Sequence, residues 1–250
     1  MQTRSGAEIV VEGDVVYKLH RPGTDPRALT TRLRIAAGSG SLLCPLTTIP
    51  RQVGSRWRTL WPLVETVVPQ PECAPWAEAG RLLARLHEEV PPRHAPPHGW
   101  KHRLRRMLRS ADEVTIRRAA AALPGEVWRA GSPDRPTTLV HGDWHLGQLG
   151  RRAGTWVLID VDDLGVGDPV WDLARPAGFW AAGLIPDDDW AAFLQSYRDA
   201  DGPAVPQGDP WPVLEPFARA AVIHAAASGV AHGDDDETQS ALLAACARMA

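Results

Sequence analysis

Residues Leu139 to Ala174 constrain the chain more than any other stretch: LVHGDWHLGQLG, a short spacer, then WVLIDVDDLGVGDPVWDLA. Two apolar runs, Thr138 to Val140 and Trp156 to Ile159, read as buried strands, and each stops at a group of side chains able to bind metal or move protons. His141, Asp143, His145 and Gln148 follow the first run; Asp160, Asp162 and Asp163 follow the second. A carboxylate just past a strand end has a fixed base and an exposed tip, which suits chemistry. Two such ends lying side by side would turn several oxygens toward one small volume. That arrangement holds a divalent cation on a polyphosphate and positions a nucleophile beside it.

Composition narrows the classes. With 250 residues the chain is long enough for one large domain or two small lobes. Its net charge of -3 gives no reason to expect nucleic acid as a partner. The 3 cysteines, Cys44, Cys73 and Cys246, form no C-x-x-C pair. A disulfide framework or a cysteine-rich zinc site is therefore not expected, and a cytoplasmic location is. The N-terminal MQTRSGAEIVVEGD lacks the apolar segment of a signal peptide, and no run approaches the roughly 20 apolar residues of a membrane span.

Around the motif, a strand-rich N-terminal part gives way to a helical C-terminal part. Ala7 to Leu19 reads as a β-hairpin turning at Glu12–Asp14, followed by a helix over Pro26 to Ala37 with Asp25 as its cap. Leu42 to Ile49 and Trp57 to Val64 read as further strands, joined by the polar stretch Arg51 to Arg56. The Pro-rich PQPECAP suggests a boundary, dividing the chain into residues 1–68 and 69–250. Beyond it, Trp76 to Glu89 carries Ala79, Leu82, Leu83 and Leu86 at helical spacing. Trp100–Arg109, Ala111–Leu123, Asp187–Asp199, Trp211–Ser228 and Asp236–Met249 are further expected helices.

Several of these side chains have more than one reading. Asp143, in a tight loop after Gly142, is placed to orient a hydroxyl and accept its proton, or else is a turn aspartate bonded to its own backbone. Gln148 and Asp160 offer the hard oxygens magnesium takes. Asp162 and Asp163 either add a second metal contact or fix the loop. His141 and His145 read as ring nitrogens bonded to backbone carbonyls as readily as catalytic groups. Asp168, before Pro169, and Asp172, at a helix start, read as supports. Lys18 falls on the same strand face as Val16. Facing inward it needs an anionic partner, for which a nucleotide phosphate would serve; facing outward it is an ordinary edge-strand lysine.

HGDWHLGQ followed by LIDVDDLGVGDPVWDLA resembles the signature of the aminoglycoside phosphotransferase and choline kinase-like family, H-G-D-x-x-x-x-N, I-D-[WF]-[DE], G-D-P-x-x-D-L-A. GRLLARLHE and VVYKL resemble two further family segments. The resemblance implies an α+β, two-lobed protein-kinase-like fold, with a small β-rich N-terminal lobe and a larger helical C-terminal lobe. It implies Asp143 as the catalytic aspartate, Gln148 and Asp160 as magnesium ligands, and Lys18 on the α- and β-phosphates of ATP, with GTP the other donor. It also implies Leu60, Trp61, Pro62, Leu63 and Val64 as the hinge along the adenine edge, and Asp172 as a buttress. The implied partner is a small-molecule hydroxyl acceptor, with no nucleic acid and no membrane. The family asparagine is Gln148 here, which also resembles the maltokinase-like branch. The Pro26 helix lacks the family glutamate that pairs with the lysine, leaving Asp25 or Glu8 as substitutes. No strong Gly-rich loop precedes Val15.

Three functions compete. The first is a kinase for an aminoglycoside, sugar or other polar acceptor; Asp187–Asp189 and Asp234–Glu237 would draw a cationic one, or are solvated helix starts. The second is a pseudokinase binding module, given the trimmed lobe and altered motif. The third is a non-haem iron oxygenase, with His141, Asp143 and either His224 or His232 as a facial triad.

Overall fold

The computed structural model describes residues 3, 6–67 and 74–249. The expected boundary at 68/69 and Cys73 lie outside the described residues. The N-terminal lobe is an antiparallel sheet of four strands in the order β1-β2-β4-β3. β1 (Glu8–Glu12) and β2 (Val15–Leu19) form the expected hairpin, and β4 (Arg56–Pro62) pairs with the other side of β2. Directly opposed residues share a face, so register puts Val11, Val16 and Trp61 in one row and Ile9, Lys18 and Thr59 in the next row of the same face. Lys18 is buried there.

Helix α1 (Pro26–Gly38) starts as its sequence demands. Asp25 accepts from the Arg27 N–H, and Pro26 occupies a first-turn position where its missing N–H costs nothing. Two expectations fail nearby. Leu42–Ile49 is not a strand; only an isolated bridge joins Leu42 to Leu158, because Pro45 lacks an N–H and the remaining donors go elsewhere. The Leu42 N–H goes to Ser39 Oγ, that of Leu43 to the Leu158 carbonyl and that of Leu46 to the Leu60 carbonyl. Conversely, Arg51–Val53 within the supposed joiner forms β3, which folds back on β4.

The helical part comprises α2 (Trp76–Glu88), α3 (Trp100–Arg109), α4 (Val114–Ala121), α5 (Val170–Ala181), α6 (Asp187–Asp199), α7 (Trp211–His232) and α8 (Glu237–Met249). α2 packs along α6, and α5 along α7. At the first crossing a Cβ on Gly80 would sit 2.3 Å from the Phe193 carbonyl oxygen, so only glycine allows the approach. The numerous tryptophans supply the interior: Trp100 stacks on Trp171 at 5.1 Å and Trp144 on Phe193 at 5.2 Å, all four side chains being buried. Each such ring removes a large apolar area from water, a stabilisation of about 2–3 kcal/mol.

Between these parts lie short strands that carry the motif. The two motif strands do not pair with one another as side-by-side ends. β6 (Thr138–Val140) pairs with β9 (Gly165–Gly167), and β8 (Thr155–Leu158) pairs with β7 (Leu149–Arg152). β7 and β9 were not expected. β7 is joined to β8 through Ala153 and Gly154, both at positive φ (47° and 81°), the conformation of a tight hairpin turn. β5 (Glu65–Thr66) adds to the outer edge of β7.

Candidate active site

Asp172 organises the loop after β6. Both its oxygens accept from backbone N–H groups, Oδ2 from His141 at 2.6 Å and Oδ1 from Gly142 at 2.9 Å. Oδ2 also meets His87 Nε2 at 3.1 Å, and His87 Nδ1 lies 2.7 Å from the Tyr197 hydroxyl. A carboxylate only accepts, so His87 donates from Nε2 and accepts on Nδ1 from the Tyr197 hydroxyl, while the Tyr197 oxygen accepts from Ala204 N–H at 3.0 Å. Burial pushes the Asp172 carboxyl up, but the His87 hydrogen bond and the surrounding donors outweigh it and hold it below the usual range. Asp172 thus fixes the direction of the chain entering Asp143. Gly142 completes the bend at φ 82°, where a Cβ would lie 2.2 Å from the Asp163 carbonyl oxygen.

The two motif ends converge through His141. Its Nε2 donates to the Ile159 carbonyl at 2.8 Å, one residue before Asp160. Asp143 forms an ion pair with Arg103 of α3, whose guanidinium also lies 3.2 Å from Asp163 and is raised in pKa against burial by Asp143, Asp163 and Asp160. The acids of both motif ends therefore face one guanidinium. Arg103 was not singled out from the sequence. The signal was its place on the stripe of Trp100, Leu104 and Met107, the face α3 turns inward.

Lys18 reaches the same loop from the other side. Its Nζ donates to Asp160 Oδ1 at 2.6 Å and lies 3.0 Å from Asp162 Oδ2. Burial alone would lower the lysine's pKa; Asp160 and Asp162 reverse this and raise it. Burial likewise opposes Asp162, and Lys18 and His20 hold it well below the carboxylate range. Neither proposed substitute for the helix glutamate is the lysine's partner. Asp25 caps α1, and Glu8 pairs with Arg56. Helix α1 contributes a cation instead: Arg32 Nε donates to the Leu164 carbonyl at 2.7 Å, pinning the loop that carries the acids. Asp160 itself sits at φ 64°, a left-handed conformation costing about 1–2 kcal/mol for a non-glycine residue. Backbone strain of this kind collects at functional sites.

The remaining residues divide. Asp168 is a support, clamped by Arg135 through two bonds of 2.8 Å. His145 Nδ1 accepts from Gly147 N–H, and its Nε2 lies 3.3 Å from Gln148 Nε2, so the amide nitrogen of Gln148, not its oxygen, faces the imidazole. In the segment Leu60–Val64, Leu63 N–H donates to the Asp14 carbonyl and the Leu60 carbonyl accepts from Leu46, so part of this backbone is already committed to the sheet. For magnesium the donor set is of the right kind: Asp160, Asp162 and the Gln148 oxygen are hard, and Asp162 Oδ1 lies 3.1 Å from His20 Nδ1, which holds the carboxylate in place.

The iron triad is overturned. Among the described residues no group of three or more His, Cys, Asp or Glu side chains is arranged to hold a metal. His141 spends Nε2 on Ile159, His224 packs edge-on to Trp100, and His232 bonds the Ser228 carbonyl.

The phosphotransferase enzyme family, APH, matches residues 16–217. The chain belongs to that family. This phosphotransferase is similar in fold to a microcompartment-associated aminopropanol kinase (18% identity, TM-score 0.67, covering 97% of this chain and 90% of that one). It is also similar to a choline/ethanolamine kinase family protein from Mesorhizobium loti (16%, 0.62, 97% and 83%) and to the spectinomycin phosphotransferase APH(9)-Ia (16%, 0.61, 99% and 85%). No curated protein matches the phosphotransferase sequence. The kinase-like fold and the phosphotransferase class expected from the sequence are borne out. No described helix is long and apolar enough to cross a membrane.

Proposed function

We propose that this phosphotransferase transfers the γ-phosphate of ATP, taken with Mg2+, to a hydroxyl of a small polar acceptor, with GTP as the alternative donor. The reading rests above all on one observation: Lys18 joins Asp160 and Asp162 on one side of the loop while Arg103 joins Asp143 on the other. The solved complexes of APH(9)-Ia with ADP and spectinomycin, and of the amicoumacin kinase hAmiN with AMP-PNP and Ca2+, support nucleotide use.

The residues take the following parts. Val11 and Val16 form an apolar platform beside Lys18 on the sheet face, suited to a purine base, with Leu60 to Val64 bordering it. Lys18 exchanges a carboxylate for phosphate oxygens. Gln148 and Asp160 would hold magnesium, with Asp162 adjoining, and the ion would supply positive charge against the phosphates. Asp143 orients the acceptor hydroxyl and takes its proton as the oxygen–phosphorus bond forms and the β,γ bridging bond breaks to release ADP. Positioning, maintained by Asp172 beneath the loop, supplies most of the effect.

Magnesium-dependent ADP release on adding an acceptor tests the proposal. Asp143→Asn should bind nucleotide and lose turnover. An Asp143→Asn protein that turns over like the wild type would refute the assignment. Nucleotide binding with no turnover on a broad acceptor panel would favour the binding-module reading.

A further inference from the structure

Lys18 has no helix glutamate, yet its ammonium group is buried and paired. The strand lysine of a protein kinase works only with its helix glutamate in place. α1 carries no acid at all, so a lasting partner has to come from the loop after β8. The two acids of that loop are held differently. Asp160 is engaged through Oδ1, which accepts from Lys18 at 2.6 Å and from the Asp162 N–H at 3.2 Å, and its side chain stays 36% exposed. Asp162 has both oxygens engaged. Its Oδ2 lies 3.0 Å from Lys18 Nζ, and its Oδ1 lies 3.1 Å from His20 Nδ1.

His20 is fixed for that contact. It follows β2 directly and is 1% exposed. Its backbone N–H donates to the Trp57 carbonyl at 2.8 Å, and its carbonyl accepts from Arg56 Nε at 2.7 Å, so the chain beneath the ring is tied at both groups. The ring is ordered as well. Its Nε2 lies 2.9 Å from Thr59 Oγ1, which accepts from Trp61 Nε1 at 2.9 Å. A carboxylate only accepts, so in the neutral ring Nδ1 carries the proton and Nε2 accepts from the Thr59 hydroxyl. His20 Nδ1 and Asp162 Oδ1 are both buried, and neither has another polar partner among the described residues. Each without the other would be an unpaired buried polar atom, which is costly. A line of contacts therefore runs from Trp61, in the segment Leu60–Val64, through Thr59 and His20 to Asp162 and on to Lys18.

Resting on the phosphotransfer reading above, we infer that Asp162 is the standing partner of Lys18, in the place of the absent helix glutamate, and that His20 is the positioning residue that keeps it there. Asp160 is the carboxylate that Lys18 releases when nucleotide and cation bind. His20 acts only through Asp162.

The test compares Asp160→Asn, Asp162→Asn, His20→Leu and His20→Asn in two measurements that need no turnover. The first is calorimetric binding of AMP-PNP with and without magnesium. Without magnesium, Asp160→Asn should bind at least as tightly as the wild type, because a carboxylate competing for Lys18 is gone; with magnesium it should lose about tenfold or more. Asp162→Asn and His20→Leu should each lose about tenfold in both conditions, because the lysine is no longer aimed. His20→Asn, which offers an amide N–H in the place of Nδ1, should recover most of that loss. A role in packing alone would favour leucine over asparagine. The second measurement is the urea midpoint of the ligand-free protein. The midpoint of His20→Leu combined with Asp162→Asn should fall no further than that of the less stable single variant, since both remove one contact. Should His20→Leu not fold, Thr59→Val, which removes the hydroxyl ordering the ring, takes its place with a smaller loss of the same kind. Magnesium-free affinity that rises in Asp162→Asn, leucine outperforming asparagine at position 20, or additive midpoint shifts would overturn the proposal. A wild type that binds no AMP-PNP in either condition sinks the phosphotransfer reading instead, and the urea midpoints then decide alone whether His20 holds Asp162.

Discussion

Arg103 and Asp143, far apart in sequence, form an ion pair in which one guanidinium restrains the proposed base and reaches Asp163 as well. Arg103→Met should leave two neighbouring carboxylates uncompensated and cost turnover about 100-fold. Arg103→Lys should restore little of it, because an ammonium cannot span both acids as a planar fork does. Steady-state ADP release for the two variants decides; equal rescue by lysine would mean that charge alone matters.

Asp172→Asn replaces one of two accepting oxygens by a donor that faces a backbone N–H or His87. A buried donor–donor clash of this kind costs about 3 kcal/mol. Urea unfolding should show that loss of stability, and kcat should fall with nucleotide affinity little changed, since Lys18 and the sheet are untouched.

Gln148→Leu removes the amide oxygen offered to the cation and leaves Asp160 and Asp162. The magnesium concentration giving half-maximal turnover should rise by about tenfold or more. An unchanged magnesium dependence would remove Gln148 from the metal site.

Stability should fall on both sides of neutral pH, for different groups. Burial, above all, brings His98 to about 4, with neither ring nitrogen hydrogen-bonded. Unfolded histidine binds its proton near 6.5, so between about 6.5 and 4 the unfolded chain takes up a proton the folded one refuses, and stability drops by about 1.4 kcal/mol per pH unit. His98→Gln should flatten that slope in a pH series of urea midpoints, whatever its offset. Below about 4 the depressed Asp162 and Asp172 add to the loss, since their contribution is present above the unfolded value and disappears as pH falls through the folded one. The raised Lys18 works oppositely: its contribution is complete below about 10.4 and is lost as pH climbs toward the folded value.

Much of this was legible because local signals agreed. Asp25-Pro26 marked the start of α1, alternation in VVYKL put Lys18 beside Val16, and three aspartates opened α6 where acids complement a helix N-terminus. What escaped was decided at long range. Arg51–Val53 is polar and gave no strand pattern, yet pairs with β4 because the turn at Gly54 returns it there. Leu42–Ile49 was apolar enough for a strand, but its donors are claimed by Ser39, Leu158 and Leu60. Arg103 lay among several cations of α3; its place on the stripe of Trp100 and Leu104 marked it as inward, but nothing local said which acids it would meet. The partner of Lys18 was sought on α1, whereas it lies on the loop after β8, a pairing that depends on how the sheet sits over that loop.

That pairing bears on how such an enzyme could be switched. In a chain whose nucleotide lysine depended on a glutamate of a mobile helix, swinging the helix would disarm the site. Here the lysine is held by the very acids proposed to bind the metal, and α1 is moored to the same loop through Arg32 and the Leu164 carbonyl. On the proposed roles, a charged ligand reaching Lys18 would have to trade places with a carboxylate, while the loop beneath stays anchored to α1.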